Sequence, residues 1–468
     1  MGGGLLQLVA YGAQDVYLTG NPQITFFKVA YRRHTNFALE AIEQTFNGNA
    51  NYGSRVTCQI SRNGDLIHRI YLQVTLPTGT GTGDETDYNY YNYFGLRLLN
   101  YVEIEIGGQK IDKHYAHWLY VWNELSLPRS KSHGYNEMVG AYGTSRLGGS
   151  TLYIPLEFWF CRNIGLALPL IALQYHEVKI NINFESANNC LYTTTTSTPA
   201  SLSKASLWVD YIYLDTDERR RFAQLSHEYL IEQLQFTGTE AITGNGSAKI
   251  KLNFNHPCKE LVWFVSNPLT SHSDRLNWCN FTTSRYALGD VGLKTSAKVN
   301  YLGDTYDKLS SLLKHSEIDY SSLSANHKKI NYMPCNPVKN CKLVLNGNDR
   351  FYQRSGKYFN LVQPYQHHTN VPSNAGINVY SFSLKPEEHQ PSGTLNMSRI
   401  DTAILNIDFE ANAGTTSKNY DESAVTILSD YAANGDGYDS SAYNIYVYAV
   451  NYNVLRILSG MGGLAYSN

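Results

Sequence analysis

Residues 102–109, VEIEIGGQ, alternate apolar and acidic side chains and end in two glycines and a glutamine. Val102, Ile104 and Ile106 share one face of a strand, and the glutamates between them lie on the other. This alternation is typical of a half-buried strand in an antiparallel sheet, followed by a turn that the glycines permit. Residues 341–348, CKLVLNGN, resemble this stretch in alternation and in the glycine turn, at an offset of 239 residues.

Two further matches follow in the same order along the chain. They are KININF at 179–184 with ILNIDF at 404–409, and DYIYLDTDERRR at 210–221 with IYVYAVNYNVLR at 445–456. The last match aligns Tyr211 with Tyr446. Short alternating strands can resemble one another by chance, but three matches in one order indicate an internal duplication. The offsets of 239, 225 and 235 residues differ because loops tolerate insertions at little cost.

The composition favours β-structure over helix. Of the 468 residues, 43% are hydrophobic and only 17% charged, and 37 are tyrosine. Charged residues supply the outer faces of most helices, whereas tyrosine and threonine suit the solvated face of a strand. Each half, about 200 residues of short strands with long excursions, suits an eight-stranded jelly roll better than an immunoglobulin-like sandwich. We therefore predict an all-β chain with two tandem eight-stranded antiparallel jelly rolls and short inserted helices.

The predicted organisation has four parts. They are an N-terminal segment at 1–26, a first jelly-roll domain at 27–215, a connector at 216–224 and a second jelly-roll domain at 225–468. The boundary falls at a polar run, Asp215 to Arg221, just before the first strand of the second half. The sequence contains no linker rich in glycine and proline there, which favours two domains packed against each other.

Local signals predict a few helices and one hairpin. Asn21 and Pro22 suggest the cap and first turn of a short helix. Residues 113–125 and 306–316 have helical patterns, and Asn63-Gly64 is a type I′ hairpin signal.

Charge, hydropathy and cysteine spacing exclude several classes of protein. The formal net charge is −2, without a basic domain or tail, so we expect no direct contact with nucleic acid. The longest apolar run, residues 166–173, is interrupted by Pro169 and is far shorter than the ~18 residues that cross a bilayer. No secretory signal follows Met1. The seven cysteines have no zinc-type spacing and are expected to be buried, reduced thiols.

Patterns for catalysis and metal binding are missing from the sequence. It contains no GxSxG, GxGxxG, GxxxxGK[ST], HExxH or HxH motif. Four weaker features are interpreted as loops or as histidines with ordinary structural partners. These are the glycine-rich stretch 78–84, the pairs His114/His117 and His367/His368, and the acidic loop with Asn434, Asp436 and Asp439. We therefore expect no enzymatic activity, no cofactor and no bound metal.

Three sequons, at Asn245, Asn280 and Asn396, are candidate glycosylation sites. Because no secretory signal is encoded, glycosylation would need a route other than the secretory pathway.

The N-terminal segment contains the candidate assembly residues. It precedes the first strand, has no counterpart in the second half, and carries Leu5, Leu6, Leu8 and Val9. Together with Asn21 and Pro22, these side chains are expected to contact neighbouring assemblies or inner-layer proteins rather than to complete a jelly roll.

Several long blocks, in order from one end of the chain to the other, resemble a known family. They are residues 8–28 (LVAYGAQDVYLTGNPQITFFK), 60–66 (ISRNGDL), 165–179 (GLALPLIALQYHEVK), 227–238 (HEYLIEQLQFTG), 345–351 (LNGNDRF), 390–401 (QPSGTLNMSRID) and 452–466 (YNVLRILSGMGGLAY). These blocks are similar to the major capsid proteins of nucleocytoplasmic large DNA viruses, particularly those infecting algae. The unmatched stretches fall in loops.

The resemblance implies a double jelly roll that forms homotrimeric, pseudo-hexagonal capsomers in an icosahedral shell over an internal membrane. It further implies a virion capsid location, assembly in the host cytoplasm, and minor capsid and penton proteins as partners. Outward loops of this family are often glycosylated, which favours Asn280 over Asn396. The alternative from another functional class is a carbohydrate-binding protein or metal-dependent enzyme on a jelly-roll scaffold, since a fold alone does not fix function.

Overall fold

The computed structural model describes residues 3–77, 88–141, 148–193, 201–243, 247–266, 278–279, 281, 336–409 and 442–466. The chain divides into two compact units, Met1–Phe37 and Ala38–Asn468.

The N-terminal unit contains two short helices, α1 at Gly3–Val9 and α2 at Val16–Thr19, neither of which buries a side chain. The predicted helix that begins at Asn21 is wrong. Asn21 has a φ of 48°, not the extended backbone of a helix cap, and residues 22–25 are irregular. A short helix gains little stability without an apolar face packed on a core, and this segment is exposed throughout.

The strands of the first half are β1 Phe37–Gln44, β2 Arg55–Gln59, β3 Leu66–Thr75, β4 Tyr88–Tyr90, β5 Leu99–Ile106, β6 Gln109–Tyr115, β7 Thr151–Pro155, β8 Leu168–Pro169, β9 Val178–Phe184, β10 Leu191–Thr193 and β11 Lys204–Leu214. Those of the second half are β12 His227–Phe236, β13 Glu240–Thr243, β14 Ser247–Lys251, β15 Pro257–Ser266, β16 Val338–Leu345, β17 Asn348–Asp349, β18 Arg354–Ser355, β19 Asn378–Ser381, β20 Leu395–Asn396, β21 Ala403–Phe409, β22 Ala442–Leu458 and β23 Met461–Leu464.

Both halves arrange eight main strands in the same order. In the first half, one sheet runs β1-β11-β3-β7 and the other β2-β9-β5-β6. In the second half, the corresponding sheets run β12-β22-β15-β19 and β14-β21-β16-β17. The strands pair antiparallel, and the apolar side of each sheet faces its partner sheet. This is the topology of a jelly roll, so the predicted fold of two tandem jelly rolls is confirmed.

The sequence duplication extends to the register of the strands. The corresponding pairs are Val102 with Ile182 and Ile104 with Ile180 in the first half, and Cys341 with Ile407 and Leu343 with Leu405 in the second. The turns that follow also correspond. Gly107-Gly108 has φ angles of 58° and 84°, and Asn346-Gly347 has 48° and 82°. Both central residues of a type I′ turn need positive φ, so the first two sequence matches identify equivalent positions.

The third sequence match joins equivalent strands in the wrong register. A bulge interrupts the pairing of β3 with β11 beside Tyr211, and a bulge interrupts the pairing of β15 with β22 beside Asn451. These bulges make Tyr211 structurally equivalent to Asn451 rather than to Tyr446. Moreover, the match runs from β11 into a helix in the first half but stays within β22 in the second.

Within the described part of the larger unit, the helices are short and lie in connections. They are α3 Phe94–Arg97, α4 Ala116–Ser126, α5 Arg129–Val139, α6 Trp159–Arg162, α7 Ala187–Cys190, α8 Thr216–Gln224 and α9 Gln363–His367, with 3₁₀ turns at Ile164–Leu166, Leu170–Ala172 and Met397–Arg399 and a π-helical turn at Tyr358–Val362. The predicted helix at 113–125 begins later, at Ala116, because β6 continues to Tyr115. The helix predicted at 306–316 lies outside the described residues.

The predicted hairpin at Asn63-Gly64 is wrong, because β2 and β3 belong to different sheets. Gly64 has another role there. A Cβ at this position would lie 2.8 Å from Cβ of Tyr211, so only glycine lets the connection pass so close to β11.

The sheet formed by β12, β22 and β15 is buried on both faces. Leu261, Trp263 and Val265 pack inside the second jelly roll, whereas Val262 and Phe264 belong to the core cluster of the first. Antiparallel sheets usually leave one face in water. In this chain, the outer face of the second jelly roll is covered by the first.

Candidate assembly surfaces

The two jelly rolls meet along a surface that we call the intrachain seam, where β6 and α4 pack on the outer face of β12, β22 and β15. Aromatic rings fill its centre: Tyr115 meets Phe236 at 4.9 Å between ring centroids, and Trp118 meets Tyr448 at 5.4 Å. Aromatic pairs at such distances add attraction beyond the area they bury. The surrounding rings remove His117 from water, and this desolvation lowers its pKa to about 4 and keeps it neutral.

Polar contacts border the rings of the intrachain seam. Asp112 accepts a hydrogen bond from the backbone N–H of Leu234 at 3.0 Å, and the Gln233 amide donates to the Ile111 carbonyl. At the other side, the Ser373 hydroxyl donates to Glu124 at 2.6 Å. Hydrogen bonds on both sides of the apolar centre fix the relative position of the two jelly rolls.

A buried ionic cluster also crosses the intrachain seam. Glu232 on β12 binds Arg162 of the first jelly roll at 3.2 Å and Lys259 of its own jelly roll at 2.7 Å. Burial of Glu232 would raise its pKa, but hydrogen bonding to His389 and the charges of Lys259 and Arg162 lower it to about 2. The Lys259 side chain is fully buried, so loss of this carboxylate would leave it without its ionic partner at 2.7 Å.

Glu260, the residue after Lys259, belongs to a second group of buried charges. His368 lies between two carboxylates, with Nε2 2.9 Å from Glu260 and Nδ1 2.9 Å from Glu387. Burial alone would lower the His368 pKa, but the two carboxylates raise it to about 9. Both ring nitrogens face acceptors, so the imidazole carries both protons. Neither charge group was predicted from the sequence, because their members come from segments far apart along the chain.

The predicted assembly residues of the N-terminal segment lie on different elements. Leu5, Leu6, Leu8 and Val9 share helix α1 and are each more than half exposed. Asn21 and Pro22 lie beyond α2 and are exposed. The structure thus groups the four apolar residues and separates the other two from them.

Two further surfaces, the first partly exposed and the second exposed, lie on the jelly rolls themselves. The first, the outer sheet face, consists of the outward side chains of β3, β7 and β11: Tyr71, Gln73, Tyr153 and Trp208. The second, the helix patch, surrounds the π-helical turn and α9 and consists of Tyr352, Leu361, Val362 and Tyr365. Tyr365 is 81% exposed and Tyr352 84%. Large exposed apolar surfaces of this kind mark interaction sites.

The other features singled out in the sequence have structural partners or lie outside the described residues. His114 faces Asp112 at 2.9 Å, and Nδ1 of the partly buried His367 lies 2.9 Å from the Leu384 carbonyl. Within the described ranges, no cluster of three potential metal ligands is present. All described cysteines are buried and free of disulfides. The glycine-rich stretch 78–84 and the acidic loop with Asn434, Asp436 and Asp439 are outside the described ranges.

Of the three sequons, only Asn396 falls in the described part of the chain. Its side chain is exposed and accepts a hydrogen bond from the backbone N–H of Ser398 at 3.1 Å. Asn245 and Asn280 lie outside the described residues. No helix among the residues with a described structure has the length and hydropathy needed to cross a bilayer.

The relatives of this chain share its full length. A capsid protein family model, "Major capsid protein N-terminus", matches residues 25–215, and "Large eukaryotic DNA virus major capsid protein" matches residues 218–463. The major capsid protein of Phaeocystis pouchetii virus is 48% identical, and that of Paramecium bursaria Chlorella virus 1 is 44% identical. Each alignment covers 100% of this chain and 100% of the relative.

Solved capsid structures have the same fold. The PBCV-1 VP54 crystal structure, fitted into a reconstruction of the virophage Sputnik, matches with a TM-score of 0.71 and 39% identity, over 95% of this chain and 100% of that one. The Faustovirus major capsid protein matches with a TM-score of 0.66 at 13% identity, over 96% and 94%, which shows a shared fold. With two matching family models and full-length relatives far above 30% identity, the chain belongs to the family of major capsid proteins of large eukaryotic DNA viruses.

Proposed function

We propose that three copies of this chain form a pseudo-hexagonal capsomer that tiles the icosahedral shell of a large DNA virus. The observation that carries the proposal is the duplicated jelly roll, with the same strand order, register and turn in both halves. A ring of three chains then presents six similar jelly rolls to six neighbours, which is the contact geometry of a hexagonal lattice.

We further propose four functional segments with boundaries at 1–26, 27–215, 216–224 and 225–468. The proposed connector is occupied by α8, which begins beside the capping carboxylate of Asp215. Arg219 on this helix binds Asp65 at 2.8 Å, which ties the connector to the first jelly roll. This contact favours a fixed connection over a flexible linker.

The segment 1–26 is proposed to act between capsomers or on inner-layer proteins. Its support is the exposed apolar face of α1, with Leu6 at 67% and Leu8 at 77% exposure. Minor capsid and penton proteins are the proposed partners of the lattice, with assembly in the host cytoplasm over an internal membrane. We propose a purely structural role, with no catalysis, no cofactor and no direct contact with nucleic acid.

Glycans are proposed on outward loops, with Asn280 as the first candidate and Asn245 as the second. Asn396 is the weakest candidate, because its carboxamide already caps the 3₁₀ turn Met397–Arg399. Mass spectrometry of peptides from virions tests this order, and a glycan on Asn396 alone would contradict it.

Light scattering coupled to size-exclusion chromatography tests the proposed capsomer. Three chains of 52.7 kDa give about 158 kDa, and this mass should persist on dilution and in the presence of reductant or chelator. A constant mass near 52.7 kDa at every concentration would refute the permanent trimer.

A further inference from the structure

The intrachain seam has two sides, and each side has a counterpart elsewhere in the chain that is less deeply buried. One side is the outer face of the second jelly roll, where Val262 pairs with Tyr448 on neighbouring strands. The equivalent outward pair in the first jelly roll is Tyr71 with Trp208, in the outer sheet face. The former pair is buried under α4, whereas the latter is only partly buried. Among the described residues, the first jelly roll therefore has a counterpart of the surface that receives α4, and this counterpart is covered less completely.

The other side of the intrachain seam is β6 with α4, and it also has a counterpart. His114 on β6 pairs with Val102, as Arg354 on β18 pairs with the equivalent Cys341. Shortly after His114 the chain enters α4, and shortly after Arg354 it enters the π-helical turn and α9. The helix patch occupies this position, and Tyr365 and Leu361 are exposed there.

Charged residues repeat around these surfaces as well. The sequence AIEQ at 41–44 on β1 corresponds to LIEQ at 230–233 on β12, so Glu43 is the counterpart of Glu232. Glu232 binds one cation of its own jelly roll, Lys259, and one from the other jelly roll. Glu43 binds Lys204 of its own jelly roll at 2.5 Å. A second cation is supplied to Glu232 from the connection after β7. The corresponding connection after β19 carries Lys385, which is exposed and in the single chain binds the exposed Glu388 at 2.8 Å.

We propose that the helix patch of one copy docks on the outer sheet face of a second copy and repeats the intrachain seam between chains. In this interface Tyr365 and Leu361 cover Tyr71 and Trp208, and Lys385 pairs with Glu43. The assignment rests on the proposed trimer and names the surfaces that close it. A second copy is the occupant because the same chain already supplies both halves of this contact once.

The interface is tested by light scattering on purified capsomers. Tyr365→Asp places a charge in the proposed contact, and we expect the trimer dissociation midpoint to move to at least about 30-fold higher protein concentration, the size of an interface hot spot. Tyr466→Asp is the matched control, because Tyr466 is also a mostly exposed tyrosine, 62% accessible, but lies outside both surfaces. This variant should remain a trimer.

A charge exchange provides a second test, in which recovery of the trimer by a double variant rules out misfolding of a single variant as the cause of the loss. Lys385→Glu and Glu43→Lys should each weaken the trimer, and the double variant should regain most of the wild-type stability. Circular dichroism confirms that each variant is folded. This interface would be overturned if the Tyr365→Asp trimer had the same dissociation midpoint as the wild type, or if the effects of the two charge variants simply added. Either result would leave the proposed trimer itself standing. A wild-type monomer would instead refute the proposed function.

Discussion

Removal of the charge of Glu232 should destabilise the whole chain, since this carboxylate neutralises cations from both jelly rolls. The perturbation is Glu232→Gln, which preserves side-chain size but leaves Lys259 buried with no anionic partner at 2.7 Å and Arg162 without its partner across the intrachain seam. The adjacent Glu260 cannot take over this role without giving up His368, which it holds at 2.9 Å.

The magnitude follows from two independent arguments. The pKa of Glu232 falls from its ordinary 4.5 to about 2, which corresponds to about 3 kcal/mol in favour of the ionised form. Removing one partner of a buried ion pair costs about 3 to 5 kcal/mol, because the other charge remains desolvated. With about 2 to 4 °C per kcal/mol for domains of this size, the melting temperature should fall by about 10 °C.

Calorimetry at a fixed protein concentration measures this loss, and the pH dependence identifies its origin. Because the folded-state pKa is below the ordinary value, the contribution is present above pH 4.5 and is lost as the pH falls toward about 2. The wild type should therefore lose its advantage over Glu232→Gln across this range. Both proteins must still be folded at the start of the titration.

Glu228→Gln on the same strand is the matched control. Its partner, Arg456, lies 2.8 Å away, but both side chains are more than half exposed, so the loss should stay below about 1 kcal/mol. Equal effects at Glu228 and Glu232, or a change of less than about 2 °C at Glu232, would refute the argument that desolvated charges hold the intrachain seam.

Four further predictions concern separate features. Gly107→Ala should destabilise the protein far more than Gly108→Ala. Both positions have positive φ, but a Cβ on Gly107 would lie 2.3 Å from the His176 ring, whereas a Cβ on Gly108 would meet no atom within 4 Å. The urea unfolding midpoints of the two variants compare these effects. A histidine whose pKa is raised to about 9 in the folded state contributes stability that is lost as the pH rises through that value. His368→Gln should therefore lack this pH-dependent part of the stability. Melting temperatures of both proteins from pH 6 to 10 test this, and a constant difference between them would contradict it. Deletion of residues 1–26 should leave a folded trimer that tiles poorly, as seen by electron microscopy; loss of the second jelly roll's melting transition would show that the segment belongs to a core. Trp263→Ala should cost about 3 to 5 kcal/mol in the core of the second jelly roll, whereas Tyr466→Ala, at a residue that is 62% exposed and lies outside both proposed surfaces, should cost less than about 1; similar denaturation midpoints would contradict this.

Strands with one face in the core were predictable, because burial of that face imposes a period of two on the sequence. Ile180 and Ile182 point into the core and Asn181 points away, which is the pattern visible in the sequence. The common register of the first two sequence matches was predictable for the same reason. A slip of β21 by one residue would turn Ile404 into the core in place of Leu405.

Features that depend on contacts between distant segments could not be predicted. The Asn63-Gly64 turn fits a hairpin locally, but pairing of β2 with β9 and of β3 with β11 separates its flanking strands. Helix α5 was missed because only Val139 of its residues is buried and it contains Gly134, which leaves almost no apolar period. Local propensity is a weak guide in both cases, and tertiary pairing decides the outcome.

The ionic cluster was missed although one signal was present. Residues 257–266, PCKELVWFVS, are buried on both faces, and Lys259 and Glu260 are adjacent within them. A charged pair inside such a run needs partners from other elements, because buried charges must be compensated. The sequence could indicate that partners exist, but the 70-residue separation of Arg162 from Glu232 gave no means of naming them.

The unequal exposure of the two jelly rolls bears on how copies assemble. If both outer sheet faces were covered within the chain, no matching surface would remain for another copy, and if both were open, the two jelly rolls would not be fixed relative to each other. In this chain one face is covered and its counterpart, with Tyr71 and Trp208, is left partly open. In the proposed capsomer, one internal contact and one open contact per chain would make a head-to-tail interface, which closes as a ring when the rotation per jelly roll is one sixth of a turn. The buried charges at Glu232 would then support assembly by holding the internal contact rigid, since a rigid internal angle lets the proposed contacts between chains repeat it.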